Sequence, residues 1–131
     1  MKRTSSDKIV KLSTNEYFVF GSNLAGIHGA GGALFAKQNF GAQQGVGVGF
    51  TGQSYAIPTK DRDIKVLPLE IIKNYVIEFT DDAMYNPEFT FHVTEIGCGL
   101  AGFHPKDIAP FFKEASELNN VYLPKRFWDF M

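Results

Sequence analysis

A glycine-rich segment directly after an apolar run constrains the fold of this chain more than any other feature. The run Tyr17–Phe20 (YFVF) predicts a strand, from residue 16 to 22, that is covered on both faces. It leads into GSNLAGIHGAGGALFAK, residues 21–37, which holds five glycines. Glycine destabilises ordinary helices and strands, so the segment predicts a loop whose backbone approaches another group closely, followed by a helix from residue 32.

The same order recurs near the C-terminus. FTFHVTEIG, residues 89–97, is rich in β-branched and aromatic residues and predicts a strand. A second glycine loop, GCGLAGF at 97–103, follows, and then a helix over 105–118 in which Pro110 is expected to cause a kink or a late start. In open α/β sheets ligands bind beyond the carboxyl ends of the strands, so both loops are expected at one crevice.

The remaining segments continue the alternation of strands and helices. An extended segment or loop is predicted at 45–50, a helix at 67–83, and further strands at 8–12, at 54–60, where Pro58 should stop the strand, and at 120–124. This alternation predicts a three-layer α/β/α fold with a mostly parallel central sheet.

Length and composition narrow the class of protein. The 131 residues fit a single domain over 1–131, with residues 1–7 as a loose N-terminal end. A net charge of −1 argues against a broad nucleic-acid-binding face. The lone Cys98 and the lack of an apolar stretch of about 18 residues favour a cytoplasmic protein without a membrane span. Three scattered histidines and one cysteine lack the spacing of metal ligands, and no cofactor is expected.

Main-chain amides in the two loops are suited to bind an anion such as a diphosphate, helped by the positive end of a helix. Tight packing of helix against sheet is the alternative explanation of such glycines. The first loop, GIHGAGG, is not G-x-G-x-x-G, and no acidic residue ends a second strand to hold a ribose, which argues against a dinucleotide-binding Rossmann domain. GxxxxGK[ST] is absent, which argues against a P-loop NTPase. The candidate diphosphate-binding glycines are Gly29, Gly31 and Gly32 in the first loop and Gly97, Gly99 and Gly102 in the second.

Three segments resemble a macrodomain, the ADP-ribose-binding fold, and together they span roughly residues 8–124. FVFGSNLAGIHGAGGALFAK resembles its strand and first phosphate loop, SYAIPTK its middle strand, and VTEIGCGLAGFHPKDIAPFFKEA its second phosphate loop and following helix. The motif IGCGL is similar to that of the macrodomains that remove ADP-ribose from glutamate side chains by means of a catalytic lysine.

The resemblance implies a role for particular residues. Asn23 would lie near the ribose next to the diphosphate, Leu100 would line the second loop beside it, and Phe103 would contact the distal ribose. Lys60 falls on the position of the catalytic lysine, which in the family attacks the anomeric carbon and must do so as a neutral amine.

Two family residues are replaced in this chain. Ala101 stands where the subclass has its catalytic aspartate, so an acid–base partner would have to come from Glu95, His28 or His104. Glu95 is a general base if it faces the crevice and otherwise an ion-pair partner of a lysine, and His28 is a phosphate contact, a proton donor or an exposed loop residue. The adenine-binding aspartate is also replaced, by KLSTNE, so that Ser13, Thr14 or Asn15 would have to substitute for it.

Three functions remain open from the sequence. The chain binds ADP-ribose or a related nucleotide diphosphate, or it also hydrolyses an ADP-ribose derivative such as ADP-ribosylated protein. Alternatively, it is an accessory interaction domain that has kept the fold without the ligand.

Overall fold

The computed structural model describes residues 2–131, in which strands and helices alternate. The strands are β1 (Glu16–Asn23), β2 (Gly49–Thr51), β3 (Ser54–Lys60), β4 (Thr90–Val93) and β5 (Val121–Tyr122). The helices are α1 (Gly31–Asn39), α2 (Leu69–Tyr85), α3 (Pro105–Ile108) and α4 (Lys125–Trp128), with 3₁₀ turns at Ala109–Phe112 and Ala115–Glu117.

The strands form one sheet in the order β2-β3-β1-β4-β5. β1 pairs in parallel with both β3 and β4, and β4 pairs in parallel with β5, whereas the short β2 is antiparallel to β3. The predicted α/β class with a mostly parallel central sheet is therefore confirmed. β1 lies at the centre, so its carboxyl end and those of its two neighbours open at the same edge.

Successive side chains of β1 enter two different hydrophobic cores. Val19 is fully buried on one face, in a cluster that includes Phe79 of α2. Phe20 is fully buried on the other face, beside Ala36 of α1. The near-continuous apolar run of β1 is thus explained, since helices cover both faces of the sheet as the three-layer prediction requires.

The middle strand continues past the residue that was predicted to stop it. Pro58 lies inside β3, opposite Ser22 of β1. Proline cannot donate a backbone hydrogen bond, but β2 reaches along β3 only as far as Ala56. At Pro58 that side of β3 has no partner strand, so the missing N–H group costs no ladder hydrogen bond there.

Two predicted strands differ from the structure. Residues 8–12 form no strand, although Ile9 buries its side chain in the core. The strand predicted over 89–97 ends at Val93, because the hydroxyl of Thr94 donates to the Val19 carbonyl at 2.7 Å and the chain then turns.

The helix predicted over 105–118 is also shorter. α3 ends at Ile108, and the chain continues as two 3₁₀ turns up to Glu117. Pro110 is the cause, since its ring cannot donate an N–H group and clashes with the preceding helical turn. The predicted interruption at Pro110 is therefore confirmed, but no continuous helix follows it.

The N-terminal segment, predicted over 1–7 as a loose end, is anchored to the sheet from residue 3 to residue 5. The Arg3 guanidinium donates to the carbonyls of Ser116 at 3.0 Å and Leu118 at 2.7 Å. The Ser5 hydroxyl is buried and donates to the carbonyl of the last residue of β4 at 2.7 Å. These hydrogen bonds compensate for the entropy lost when the segment is ordered. Residue 1 lies outside the described residues.

Part of the first glycine loop is packed against backbone rather than open to a ligand. Gly26 has φ +69°, and a Cβ atom there would overlap the backbone of Gly45. A Cβ atom on Gly47 would overlap the carbonyl oxygen of Asn23 in the same way. The segment around residues 43–47 therefore supports the loop from behind, so Gly26 and Gly47 are explained by packing rather than by a ligand.

No helix within residues 2–131 combines the length and the apolar character needed to cross a membrane.

Candidate ligand-binding pocket

A pocket of about 570 Å³ opens at the carboxyl ends of the three central strands. The last residues of β1 and β3, Asn23 and Lys60, line it, and so does Thr94, which directly follows β4. Both glycine loops contribute to the lining. The two loops are therefore on the same side of the molecule, as their positions after parallel strands predict.

The first loop presents backbone to the pocket. Gly29, Gly31 and Gly32 all line it. A Cβ atom on Gly29 would have one neighbouring atom within 4 Å, a methyl group of Ile27 at 3.9 Å. The absence of side chains at these positions consequently leaves open space rather than relieving a clash, which is the property expected of a surface that approaches a ligand.

Asn23 holds the first loop in shape with its side chain. Its amide nitrogen donates to the Ile27 carbonyl at 2.8 Å, and its amide oxygen accepts from the Ile27 N–H group at 3.0 Å. The side chain is buried at the pocket wall. Both polar ends of the amide are occupied by the loop, so Asn23 is observed here as a residue that positions the loop.

The second loop lines the opposite wall with Gly97, Gly99 and Leu100. Nothing lies within 4 Å of a Cβ atom built on Gly99. Two other predicted ligand-binding residues are not part of the lining: Gly102 is exposed near the end of the loop, and Phe103 packs against the hydrophobic core near Gly97. The chain turns at Gly102, which has φ +84°, and the assignment of Gly102 and Phe103 to the ligand stays a prediction.

Lys60 and Glu95 are the ionisable residues that line the pocket. Lys60 is half-buried, and its carbonyl accepts a hydrogen bond from the Leu24 N–H group at 2.9 Å, which fixes the end of β3 beside the first loop. The lysine therefore lies in the pocket, at the position that the macrodomain resemblance assigns to a nucleophile.

Glu95 is held in an ion pair. Its carboxylate accepts two hydrogen bonds from the Arg126 guanidinium, at 2.6 and 2.7 Å. Hydrogen bonding to the Arg126 guanidinium holds the pKa of the Glu95 carboxyl below its usual range. A carboxylate so stabilised is a weak base, so the interpretation of Glu95 as a free general base does not fit the structure, and its partner is an arginine rather than a lysine.

His28 is not in the pocket. Its side chain is 1% exposed and its ring packs edge-on against Phe20. Nε2 lies 2.9 Å from the Gln43 carbonyl oxygen. The low exposure contradicts the alternative of an exposed loop residue, and His28 lies outside the pocket lining, where it joins the first loop to the segment behind it.

Two other side chains also have structural roles. Nδ1 of His104 accepts a hydrogen bond from the Lys106 N–H group at 3.0 Å and caps α3. Cys98 is half-buried, and burial, with a contribution from the charge of Glu95, raises the pKa of its thiol to about 11. A thiol with such a pKa is protonated at neutral pH and a poor nucleophile.

The residues proposed for adenine lie at the wrong end of the sheet. Ser13 accepts a backbone hydrogen bond from Glu16, the first residue of β1, whereas the pocket is at the last residue of β1. Eight residues of strand, about 3.3 Å each, separate the two ends. Ser13, Thr14 and Asn15 therefore lie far from the pocket, and none of them lines it.

The sequence did not indicate several residues of the lining. The aliphatic side chains of Ile27 and Ile64 line the pocket and are exposed, at 48% and 42%. Ile64 has φ +64°, which is rare for a β-branched residue. The loop that carries it is closed by Asp61, whose carboxylate accepts from the Lys65 N–H group at 3.0 Å. A loop of mixed charge gives no sign of such an apolar contribution.

Strand-end hydroxyl groups form the floor of the pocket. Ser22, Thr59 and Thr94 line it, and each donates its hydroxyl to a backbone carbonyl of a neighbouring segment. Their position at the ends of predicted strands is the only sequence signal that could have identified them as lining residues.

Within residues 2–131, no group of three or more His, Cys, Asp or Glu side chains could hold a metal ion.

The sheet order and the pocket at its carboxyl edge define a macrodomain-like α/β fold. The macrodomain of Mycobacterium tuberculosis DarG is similar to this chain, with a TM-score of 0.69 and 18% identity over 95% of this chain and 97% of that one. A protein of unknown function from Bacteroides thetaiotaomicron matches with a TM-score of 0.65 and 15% identity over 87% and 89% of the two chains. No family model and no curated protein matches the sequence.

Proposed function

We propose that this pocket binds ADP-ribose or a related nucleotide diphosphate through the backbone of its two glycine loops. The observation that supports this proposal most is the convergence of Gly29–Gly32 and Gly97–Leu100 on one cavity. Its volume of about 570 Å³ lies within the usual range for small-molecule sites. The likeness to the DarG macrodomain supports the same class of ligand.

The charges around the pocket favour an anionic ligand. Lys60 contributes a positive charge to the wall, and the negative charge of Glu95 is compensated by Arg126. α1 begins at Gly31, within the first loop, so the N–H groups of its first turn lie next to the cavity. Unpaired N–H groups at a helix start and a nearby cation both stabilise phosphate groups.

Hydrolysis is a second candidate function, and Lys60 is the residue that supports it. An amine in the wall of an ADP-ribose site is placed to attack the anomeric carbon of a bound ADP-ribose derivative. The partner that this reaction needs is not evident, because Glu95 is paired, His28 is buried away from the pocket, and Ala101 lines the pocket without a carboxylate. Binding is therefore the function that the geometry supports best.

Isothermal titration with ADP-ribose tests the proposal. We expect micromolar affinity, and we expect ADP to bind as well because the diphosphate is the shared group. Gly99→Val should abolish binding, since the new side chain would extend into the cavity. The substitution should leave the thermal unfolding midpoint almost unchanged, because no atom lies within 4 Å of that Cβ position.

Ser6→Val is a matched control, because it adds a similar side chain at an exposed residue outside the pocket lining. It should bind ADP-ribose as the natural chain does. If the natural chain gives no heat with ADP-ribose or ADP, the proposed function is wrong, and the alternative of an accessory domain that does not bind the ligand gains support. Equal binding by Gly99→Val would place the ligand elsewhere.

A further inference from the structure

Arg126 lies next to the pocket although it comes from the last helix of the chain. It is on α4, and its guanidinium donates a hydrogen bond to Glu95, which lies 31 positions earlier in the sequence. The neighbouring Phe127 is fully buried, which anchors the helix in the core. The side chains of Arg126 and Glu95 are 54% and 34% exposed, so the pair lies at the rim of the cavity.

The carboxylate of Glu95 would oppose a diphosphate if it were not compensated. Glu95 is among the residues that line the cavity, and its carboxylate is held ionised because hydrogen bonding to the Arg126 guanidinium keeps its pKa low. Two negative groups at one partly desolvated site repel each other, and we expect this repulsion to weaken binding by about tenfold or more. The two short hydrogen bonds from Arg126 place a positive charge directly on that carboxylate.

The pair also restrains the second glycine loop. The carbonyl oxygen of Glu95 accepts the N–H group of Cys98 at 3.1 Å, so the backbone of Glu95 begins the turn that leads to Gly99. A bidentate pair between a carboxylate and a guanidinium fixes orientation as well as charge. The second glycine loop is thereby attached to α4 through Glu95, two residues before the loop begins.

We propose that Arg126 is a positioning residue that allows the pocket to accept an anionic ligand, because it neutralises Glu95 and holds the loop that follows it. This inference rests on the proposed function, since the ligand is taken to be a diphosphate. Lys60 then acts as the uncompensated charge of the pocket wall, and the specificity for anions depends on a residue that does not itself line the cavity.

Titration of ADP-ribose into three variants tests the inference. Arg126→Met keeps the apolar stem and removes the charge, and we expect it to weaken binding about tenfold or more. Adding Glu95→Gln to Arg126→Met should restore the affinity to within about threefold of the natural chain, because the unpaired negative charge is removed and only the restraint on the loop is still lost. Lys125→Met is the matched control, since it removes a charge at the adjacent residue, which is 78% exposed and pairs with Asp129. It should bind normally.

Rescue by the double variant separates charge compensation from a purely structural role, which a second substitution would not repair. If Arg126→Met binds as tightly as the natural chain, or the double variant stays as weak as Arg126→Met, the inference is overturned. Hydrogen exchange of the Cys98 amide, which donates to the Glu95 carbonyl, provides a readout without ligand: it should be faster in Arg126→Met as the loop loosens, and an unchanged rate would argue against the restraint.

The outcomes distinguish this inference from the proposed function. If the natural chain binds ADP-ribose and Arg126→Met binds it with the same affinity, the inference fails and the proposed function stands. Where the natural chain binds pyrophosphate but not ADP-ribose, and Arg126→Met weakens that binding, the function fails and the inference stands. Binding of neither probe by the natural chain overturns both.

Discussion

Leu100 of the second glycine loop lies over Gly31 of the first: a Cβ atom on Gly31 would be 3.5 Å from Cδ1 of Leu100. The leucine side chain is 70% exposed and lines the pocket, so it extends from one wall towards the other. The diphosphate that we propose would lie beneath this contact. Leu100 is therefore placed to slow the departure of a bound ligand.

Leu100→Ala should weaken ADP-ribose binding about fivefold, because roughly 1 kcal/mol of apolar contact over the ligand is lost. Stability should change by less than about 0.5 kcal/mol, since the side chain is mostly exposed. Titration and urea unfolding measure the two quantities. Val10→Ala, at a residue that is 75% exposed and outside the lining, should change neither. An unchanged affinity for Leu100→Ala would show that the leucine does not cover the ligand.

A second prediction concerns the alanine at the expected aspartate position. We expect Ala101→Asp to raise the release of ADP-ribose from glutamate-modified protein by about 100-fold or more, because Ala101 lines the pocket and a positioned acid–base group contributes about that factor. Release is followed by separating the free nucleotide. Ala101→Asn, of the same size but without the charge, should stay as slow as the natural chain.

Adding Lys60→Ala to Ala101→Asp should remove the gained activity, because Lys60 is the candidate nucleophile. Rapid release by the natural chain would contradict this view of the pocket, since it would require a partner group other than Glu95, His28 or residue 101. Release that persists without Lys60 would rule the lysine out as the nucleophile.

A third prediction concerns Ile64. Its φ of +64° costs a β-branched residue about 1–3 kcal/mol, whereas glycine adopts this conformation freely. Ile64→Gly should therefore raise the free energy of unfolding by about 1 kcal/mol, after allowing for the greater entropy of glycine in the unfolded chain. The same change should weaken ADP-ribose binding, because Ile64 lines the pocket.

Ile64→Ala is the control for the loss of the side chain, since it keeps the unfavourable backbone conformation and should bring no gain in stability. Chemical denaturation of both variants decides the point. A glycine variant that is no more stable than the alanine variant would mean that the loop holds residue 64 without strain.

A fourth prediction concerns acid pH. The pKa of the Glu16 carboxyl is held below its usual value of about 4.5, first by the Ser13 N–H group at 2.8 Å and then by His92 at 2.8 Å. A lowered pKa in the folded state contributes stability that is present above the unfolded pKa and is lost as the pH falls through the folded pKa. Glu16→Gln should therefore flatten the loss of stability between about pH 4.5 and pH 3.

Urea unfolding at a series of pH values measures that slope. Glu114→Gln, at an exposed glutamate, is the control and should leave the slope as it is in the natural chain. Identical slopes for Glu16→Gln and the natural chain would show that the hydrogen bonds to Glu16 contribute little in solution.

The parts of the fold that were predictable from the sequence have strong periodic or apolar signals. The central strand β1 was expected from its unbroken apolar run, and α2 from helical spacing that begins after Pro68. Segments that depend on side-chain capping were not predictable. β4 ends early because of the hydroxyl of Thr94, and residues 8–12 stay unpaired although their composition suits a strand.

The site was predictable to a different degree. Glycines at two strand ends indicated where the pocket would be, because strand direction decides which ends meet. Distant partners were not visible: Arg126 reaches Glu95 from the last helix, and Gln43 bonds the His28 ring from the segment behind the loop. Such contacts depend on packing between elements far apart in sequence, for which residue type and spacing carry no signal.

The two edge strands of the sheet affect how readily this molecule associates with other chains through backbone pairing. β2 has three residues and β5 two, and Thr4 bridges to Leu123 alongside β5, so neither margin offers a long row of free backbone groups. Exposed margins of that kind are where proteins recruit foreign strands or aggregate. The short edge strands therefore leave few backbone groups for pairing with a second copy of this chain, which disfavours edge-to-edge association at high concentration.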